Sequence, residues 1–216
     1  MKLYGLAVSN YYNIVKLALL EKQFEFTEVY TPPSAEPDLL INSPMGKIPY
    51  LQDGNFYLSE SQAILFYLEL LKPSPRLYPL DPAQSGRAQQ IHQFVDLYID
   101  APSRTLLGAA YFGQDTTPEK VAEVGKNLKR NFSALSQTVS FAPFIAGTEL
   151  SHADLAAFMT FSFSQAIMER LHGPDPLTRL PGVGAYMEMM SERPNSQRVL
   201  EDQQVALDKL LSAQAS

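Results

Sequence analysis

Hydrophobic and polar positions along the chain keep two different rhythms, and the change falls at a proline-rich stretch. Before it, short apolar runs alternate with helical periods. Residues 2–8 form an apolar run suited to a buried strand. Ile14, Leu17, Ala18 and Leu20 then recur at helical spacing, which predicts a helix beginning near Asn10. Residues 24–30 are rich in aromatic and β-branched side chains and read as a second strand. Residues 48–51 and 56–58 flank Asp53-Gly54-Asn55, a hairpin turn in which glycine supplies positive φ. A helix over about 60–71 closes this half, with Ser59 and Gln62 spaced as a capping box. The order βαβ, a variable segment, then ββα predicts a small α/β sandwich with one parallel crossover and one antiparallel hairpin.

Residues 72–82 carry four prolines in 11 positions. Each fixes φ, removes an amide donor and pushes the preceding residue out of the helical region, so no helix or central strand crosses this stretch. It marks a boundary between a domain over 1–75 and one over 83–216, joined by a linker over 76–82. Beyond it every period is helical. Ile91, Phe94, Val95, Tyr98 and Ile99 form one stripe, and Pro102 is expected to kink or end that helix near Tyr98. Val121, Val124, Leu128, Phe132, Leu135 and Val139 step by three or four, after a Thr116-x-x-Glu119 capping box with Pro118 in the first turn. Further helices start near Ser151, Val183 and Ser196. The fold class expected is α+β in two domains, the second an all-α bundle.

Composition narrows the chemistry. The 216 residues include no cysteine, which removes disulfides, thiolate nucleophiles, CxxC redox chemistry and every sulfur-based zinc site. Three scattered histidines, His92, His152 and His172, do not suggest a metal site, and none is expected. A net charge of −6 with no basic run argues against nucleic acid as a partner. The uncharged apolar stretch 155–168 has 14 residues, short of the roughly 20 that span a bilayer, so no membrane role is expected. No signal-like segment opens the chain, and a cytoplasmic location is the expectation.

Three segments have chemical potential. In Lys47-Ile48-Pro49 a proline enters a strand just after Gly46. It is either an edge-strand proline in a tight turn, or a cis proline that turns the amide and carbonyl of Ile48 outward to an extended peptide. At Glu60-Ser61, the Ser61 amide and hydroxyl at a helix start suit an anion, and the adjacent carboxylate suits an amine. Together they fit a free α-amino-acid group. At Ser9-Asn10-Tyr11-Tyr12, Ser9 is either a plain N-cap or a hydroxyl that donates to a bound thiolate at the positive end of the helix dipole. Lowering a thiol pKa by two units needs about 2.7 kcal/mol of preferential thiolate binding. Tyr11, Tyr12 and Asn10 compete for that role.

The order of these parts resembles the cytosolic glutathione S-transferase family, in its bacterial, non-cysteine form. Asn-Ser-Pro-Met-Gly-Lys-Ile-Pro-Tyr-Leu over 42–51 is similar to the family's N-P-x-G-K-V-P-x-L signature, with Ser43 inserted into the usual N-P pair. Glu-Ser-Gln-Ala-Ile over 60–64 resembles its E-S-x-A-I, and Gly-Thr-Glu-Leu-Ser-His-Ala-Asp over 147–154 resembles its late capping box. The residues after Ser9 match no single class. The resemblance implies a thioredoxin-like first domain and glutathione as co-substrate. It implies a cis Pro49, with Ile48 pairing to the cysteinyl backbone, Glu60 and Ser61 on the γ-glutamyl end, and Lys47 near the glycine carboxylate. Ser9 would activate the thiol, and Ser151 with Asp154 would cap a helix in the core. Asp96 would reach glutathione bound to the other subunit of a homodimer. Tyr98, Tyr111 and Phe112 are candidates for an apolar pocket that receives a small electrophile. The expected activity is transfer of the glutathione thiolate to that electrophile. The rivals are a non-catalytic binding or regulatory module on the same fold, and a glutathione-dependent isomerase or dehalogenase.

Overall fold

The computed structural model describes residues 1–214. Its first compact unit comprises Met1–Leu77 together with the chain from Ser191 onward; the second is Tyr78–Met190. The division falls inside the proline-rich stretch. The last helix, however, groups with the first unit and not with the helices of the second.

In the first unit the order is β1 (Lys2–Gly5), α1 (Asn10–Glu21), β2 (Thr27–Tyr30), α2 (Pro37–Asn42), β3 (Tyr50–Asp53), β4 (Phe56–Ser59) and α3 (Ser61–Leu71). The sheet order is β2-β1-β3-β4, with β1 parallel to β2 and the β1–β3 and β3–β4 pairs antiparallel. This is the βαβ-ββα arrangement that the periodicity predicts. Leu3 pairs across to Leu51, and both are buried with Ile14, Leu17 and Ala18 of α1 and Ile64, Leu65 and Leu68 of α3. Strand alternation and helical spacing thus deliver one apolar face each to a common core.

Both early strands are shorter than expected. β1 ends at Gly5 because residues 6–9 fold into a turn, closed by the Ser9 amide on the Leu6 carbonyl at 2.9 Å. Phe24 belongs to the end of α1 instead of β2. Its amide donates to Leu19 O, and that of Gln23 to Leu20 O, both at 2.9 Å. With Gln23 at φ 53° this is a Schellman closure.

The buried Lys22 ties this unit to the proline-rich stretch. Its Nζ lies 2.6 Å from Glu69 Oε2 and donates to the Pro75 carbonyl at 2.8 Å. The Leu77 amide donates to the same carboxylate oxygen at 3.1 Å. At the far end of the chain, α10 (Pro194–Gln214) sets Asp202 2.6 Å from the buried Lys16 Nζ on α1. Arg193, just before it, bonds Glu21 at 3.0 Å.

The second unit holds α4 (Pro82–Phe94), a π-helical turn (Val95–Asp100), α5 (Ala101–Arg104), α6 (Leu107–Tyr111), α7 (Pro118–Leu135), α8 (His152–Arg170), a 3₁₀ turn (Pro176–Arg179) and α9 (Val183–Ser191). Every residue from His152 to Phe161 is buried, the polar His152, Asp154 and Thr160 among them. Pro102 does not end the helix at Tyr98. The backbone widens into the π turn instead, with the Ala101 amide on the Asp96 carbonyl. α7 stops at Leu135, before Val139, and its N-cap is Thr117, not Thr116. Pro118 takes the first helical position, so only Thr117 can reach the Lys120 amide, at 3.2 Å.

Candidate active site

The register of the sheet gathers the three candidate segments. Tyr4 pairs with Tyr50, and Tyr50 with Ser59. The turn leading to Ser9 follows β1, Ile48-Pro49 immediately precedes Tyr50, and Glu60-Ser61 immediately follows Ser59. All three therefore leave the same end of the sheet, where stacked Tyr4 and Tyr50 rings stand 4.4 Å apart.

The Ile48–Pro49 bond is cis, and Pro49 is buried. The loop before it is held from two sides. Ser43 Oγ donates to the Lys47 carbonyl at 2.7 Å, and the Ser34 amide donates to the Gly46 carbonyl at 3.1 Å. Gly46 has φ +63°, and a Cβ there would lie 2.1 Å from the Ser34 carbonyl oxygen. Only glycine permits that approach. Lys47 is exposed and Ile48 half-buried.

Glu60 is the N-cap of α3, with φ 69°. Left-handed backbone at a non-glycine residue costs about 1–2 kcal/mol. Spacing points to Ser59 as the cap, but Ser59 ends β4 and the N-cap is Glu60, whose own side chain makes no cap hydrogen bond. The anion-favouring end of the helix lies beside buried Ser61 and exposed Glu60.

Ser9 is the N-cap of α1. Its Oγ accepts from the Tyr12 amide at 3.4 Å, a long contact that uses a lone pair and leaves the hydroxyl proton available. Asn10 is buried and Tyr11 half-buried. Tyr12 is committed elsewhere. Its ring lies against Gly5, and its hydroxyl donates to Glu28 Oε2 at 2.6 Å. Burial, followed by that carboxylate, pushes the phenol far above its ordinary pKa.

The glutathione S-transferase N-terminal domain model matches residues 3–76, and the C-terminal domain model of the same family matches 118–188. The chain belongs to the glutathione S-transferase family. A glutathione S-transferase of Pseudomonas putida is 34% identical over 207 residues, covering 96% of this chain and 94% of its own. Human glutathione S-transferase theta-2 is 34% identical over 129 residues, 55% of this chain and 51% of its own. Among solved structures, glutathione transferase F2 from Populus trichocarpa aligns with a TM-score of 0.79 at 22% identity, covering 94% of this chain and 99% of that one. A bacterial zeta-class glutathione S-transferase, maleyl pyruvate isomerase, aligns with a TM-score of 0.73 at 22% identity, covering 92% of this chain and 96% of that one. These two carry the fold. The chain is thus an enzyme of the glutathione S-transferase kind.

The remaining candidates lie in the second unit. Asp96, in the π turn, has Oδ2 3.7 Å from His92 Nε2. Tyr98 packs its ring 4.8 Å from that of Phe94, Tyr111 carries the Arg170 guanidinium 4.5 Å above its face, and Phe112 is exposed. Ser151 and Asp154 form a reciprocal capping box on α8. Asp154 also accepts from the Ile145 amide at 2.7 Å. Burial raises its pKa against these bonds.

Two groups escape a reading by motif. His92 and His152, read as scattered, meet in the core with Nδ1 atoms 2.8 Å apart and Tyr78 stacked 4.0 Å from the His152 ring. Asn13 interrupts the apolar face of α1 and is wholly buried. A polar residue among Ile14 and Leu17 is the only signal either position offered.

Among the described residues no cluster of three His, Cys, Asp or Glu is placed to hold a metal ion. Nor is any described helix long and apolar enough to cross a membrane.

Proposed function

We propose that this glutathione S-transferase binds glutathione in extended form across the sheet end that carries Ile48-Pro49, with Ser9 as the donor to its sulfur. The observation that carries the reading is the shared rung Tyr4–Tyr50–Ser59, from which all three segments depart. The outward-turned backbone of Ile48 pairs with the cysteinyl unit, and Lys47 meets the glycine carboxylate. The start of α3 takes the γ-glutamyl carboxylate beside Ser61, and Glu60 takes the amine.

The chemistry is one substitution. The glutathione S–H gives its proton to solvent, and the thiolate is held by the Ser9 O–H and the positive end of α1. Sulfur then bonds to the electrophilic carbon as the leaving group departs with its electron pair. Among the alternatives, Tyr12 has its proton engaged by Glu28, which favours Ser9 over Tyr12. A small apolar electrophile, lodged by Tyr98, Tyr111 and Phe112, a homodimer in which Asp96 reaches the partner's glutathione, and a cytoplasmic setting complete the proposal.

The test is conjugation of glutathione to an aryl halide beside retention on a glutathione resin. The expected result is turnover in the parent, with Glu60→Ala losing both turnover and retention. Ser9→Ala should keep retention and raise the pH at which bound thiol ionises. Retention without turnover in the parent overturns the proposal in favour of a binding module. An unmoved thiol titration in Ser9→Ala overturns the role of Ser9.

A further inference from the structure

Asn13 stands one turn into α1 and is fully buried. Its side-chain Nδ2 donates to the Ala7 carbonyl at 2.8 Å. Ala7 lies inside the turn that the Ser9 amide closes on Leu6, and the Asn13 amide donates to the Ser9 carbonyl at 3.0 Å. One residue thus grips the segment carrying Ser9 both within the turn and at the cap.

The other half of the side chain has no such use. Asn13 Oδ1 is buried with no hydrogen-bond partner among the described residues. A buried carbonyl left that way is destabilising, so stability alone favours an apolar residue of similar volume here. What the asparagine adds is its bond to Ala7. That bond matters because the Ser9 hydroxyl is itself weakly fixed, its contact with the Tyr12 amide being 3.4 Å long. The direction of Ser9 Oγ is therefore set by the backbone of the turn.

We propose that Asn13 is a positioning residue for thiol activation: its amide clamps the 6–9 turn onto α1 and so fixes where the Ser9 hydroxyl points. It touches no substrate. The inference rests on the reading of Ser9 given above.

The experiment follows the ultraviolet absorbance of bound glutathione thiolate against pH, with thermal melting as the folding control. It compares the parent with Asn13→Leu, Asn13→Ala, Ser9→Ala and the double variant Ser9→Ala/Asn13→Leu. Both Asn13 variants are expected to raise the ionisation midpoint by about one pH unit and to cut kcat near neutrality about tenfold, with recovery at higher pH. KM for glutathione should move by less than about threefold. The double variant should titrate like Ser9→Ala alone, because a residue acting through Ser9 has nothing to add once the hydroxyl is gone. Should Asn13→Leu fail to fold, Asn13→Ala gives the same reading. A midpoint unmoved by the Asn13 variants, while Ser9→Ala shifts it, overturns the inference and leaves the Ser9 reading standing. A further shift in the double variant also overturns it. If Ser9→Ala leaves the midpoint in place, the Ser9 reading falls and the inference falls with it.

Discussion

The side-chain amide of Asn131, on α7, donates to the backbone carbonyl of Tyr98 at 2.7 Å. In a regular α-helix that carbonyl would accept from residue 102, which is proline and has no N–H. Asn131 thus supplies from a neighbouring helix the donor that Pro102 withholds. Removing it takes a side-chain donor from a part-buried bond, and Asn131→Ala should cost about 1 kcal/mol in denaturant unfolding. In a Pro102→Ala background the loss should shrink, because a backbone amide returns. Equal losses in both backgrounds would refute the link.

The Lys22–Glu69 pair is a second point of leverage. Lys22 is fully buried, and Glu69 holds both its ammonium and the Leu77 amide. Truncating one member of a buried pair leaves the other charge uncompensated. Glu69→Ala should lose about 3–5 kcal/mol by chemical denaturation, and a double replacement with apolar residues of similar size should recover much of it.

Acid should loosen the helical unit through its histidines. Burial holds His92 down at about 4 and His152 well below its ordinary value, the latter helped by His92. Both are neutral in the folded state, while the unfolded chain takes up protons near pH 6.5. Stability is therefore highest above pH 6.5 and falls as pH drops toward 4, by up to about 1.4 kcal/mol per unit for each histidine. Asp154 works with the opposite sign, since burial raises its pKa and its contribution improves as pH falls through it. Replacing His92 and His152 together by Asn and Gln should flatten melting temperature against pH in that window. An unaltered slope would count against the pair.

Gly46→Ala tests the loop before the cis proline. The added Cβ meets a main-chain oxygen, not a movable side chain, and the φ is left-handed. Strain of about 2 kcal/mol or more is expected, expressed as displacement of 46–48. Retention on a glutathione resin should drop sharply while the far-ultraviolet spectrum stays that of the parent.

The sheet and its helices are legible in the sequence because Leu3, Leu51, Ile14 and Ile64 repeat at the periods their elements demand. The helix starts are less so. Thr116 and Thr117 both fit a cap, and it is Pro118 that selects between them. Nothing in the letters Ser59-Glu60-Ser61 announces a left-handed glutamate, since that conformation is imposed by the strand arriving at Ser59. The candidate site is legible as three motifs, and their convergence becomes a physical statement only through the pairing of Tyr4, Tyr50 and Ser59. The bonds that decide the fate of Tyr12 and Asn13 run to Glu28 and Ala7, and a pattern along one helix carries no trace of either.

Lys16 and Asp202 are separated by 186 positions yet share a proton-bearing contact inside the first unit. Residues 1–77 alone would leave the buried Lys16 ammonium with Glu28, 2.8 Å away, but without the second carboxylate that Asp202 supplies. During synthesis the first unit must wait for residue 202 to emerge before this contact closes. An excised thioredoxin-like half should accordingly be a poor stand-in for the same residues in the full chain, and supplying the 191–214 peptide in trans should mend it.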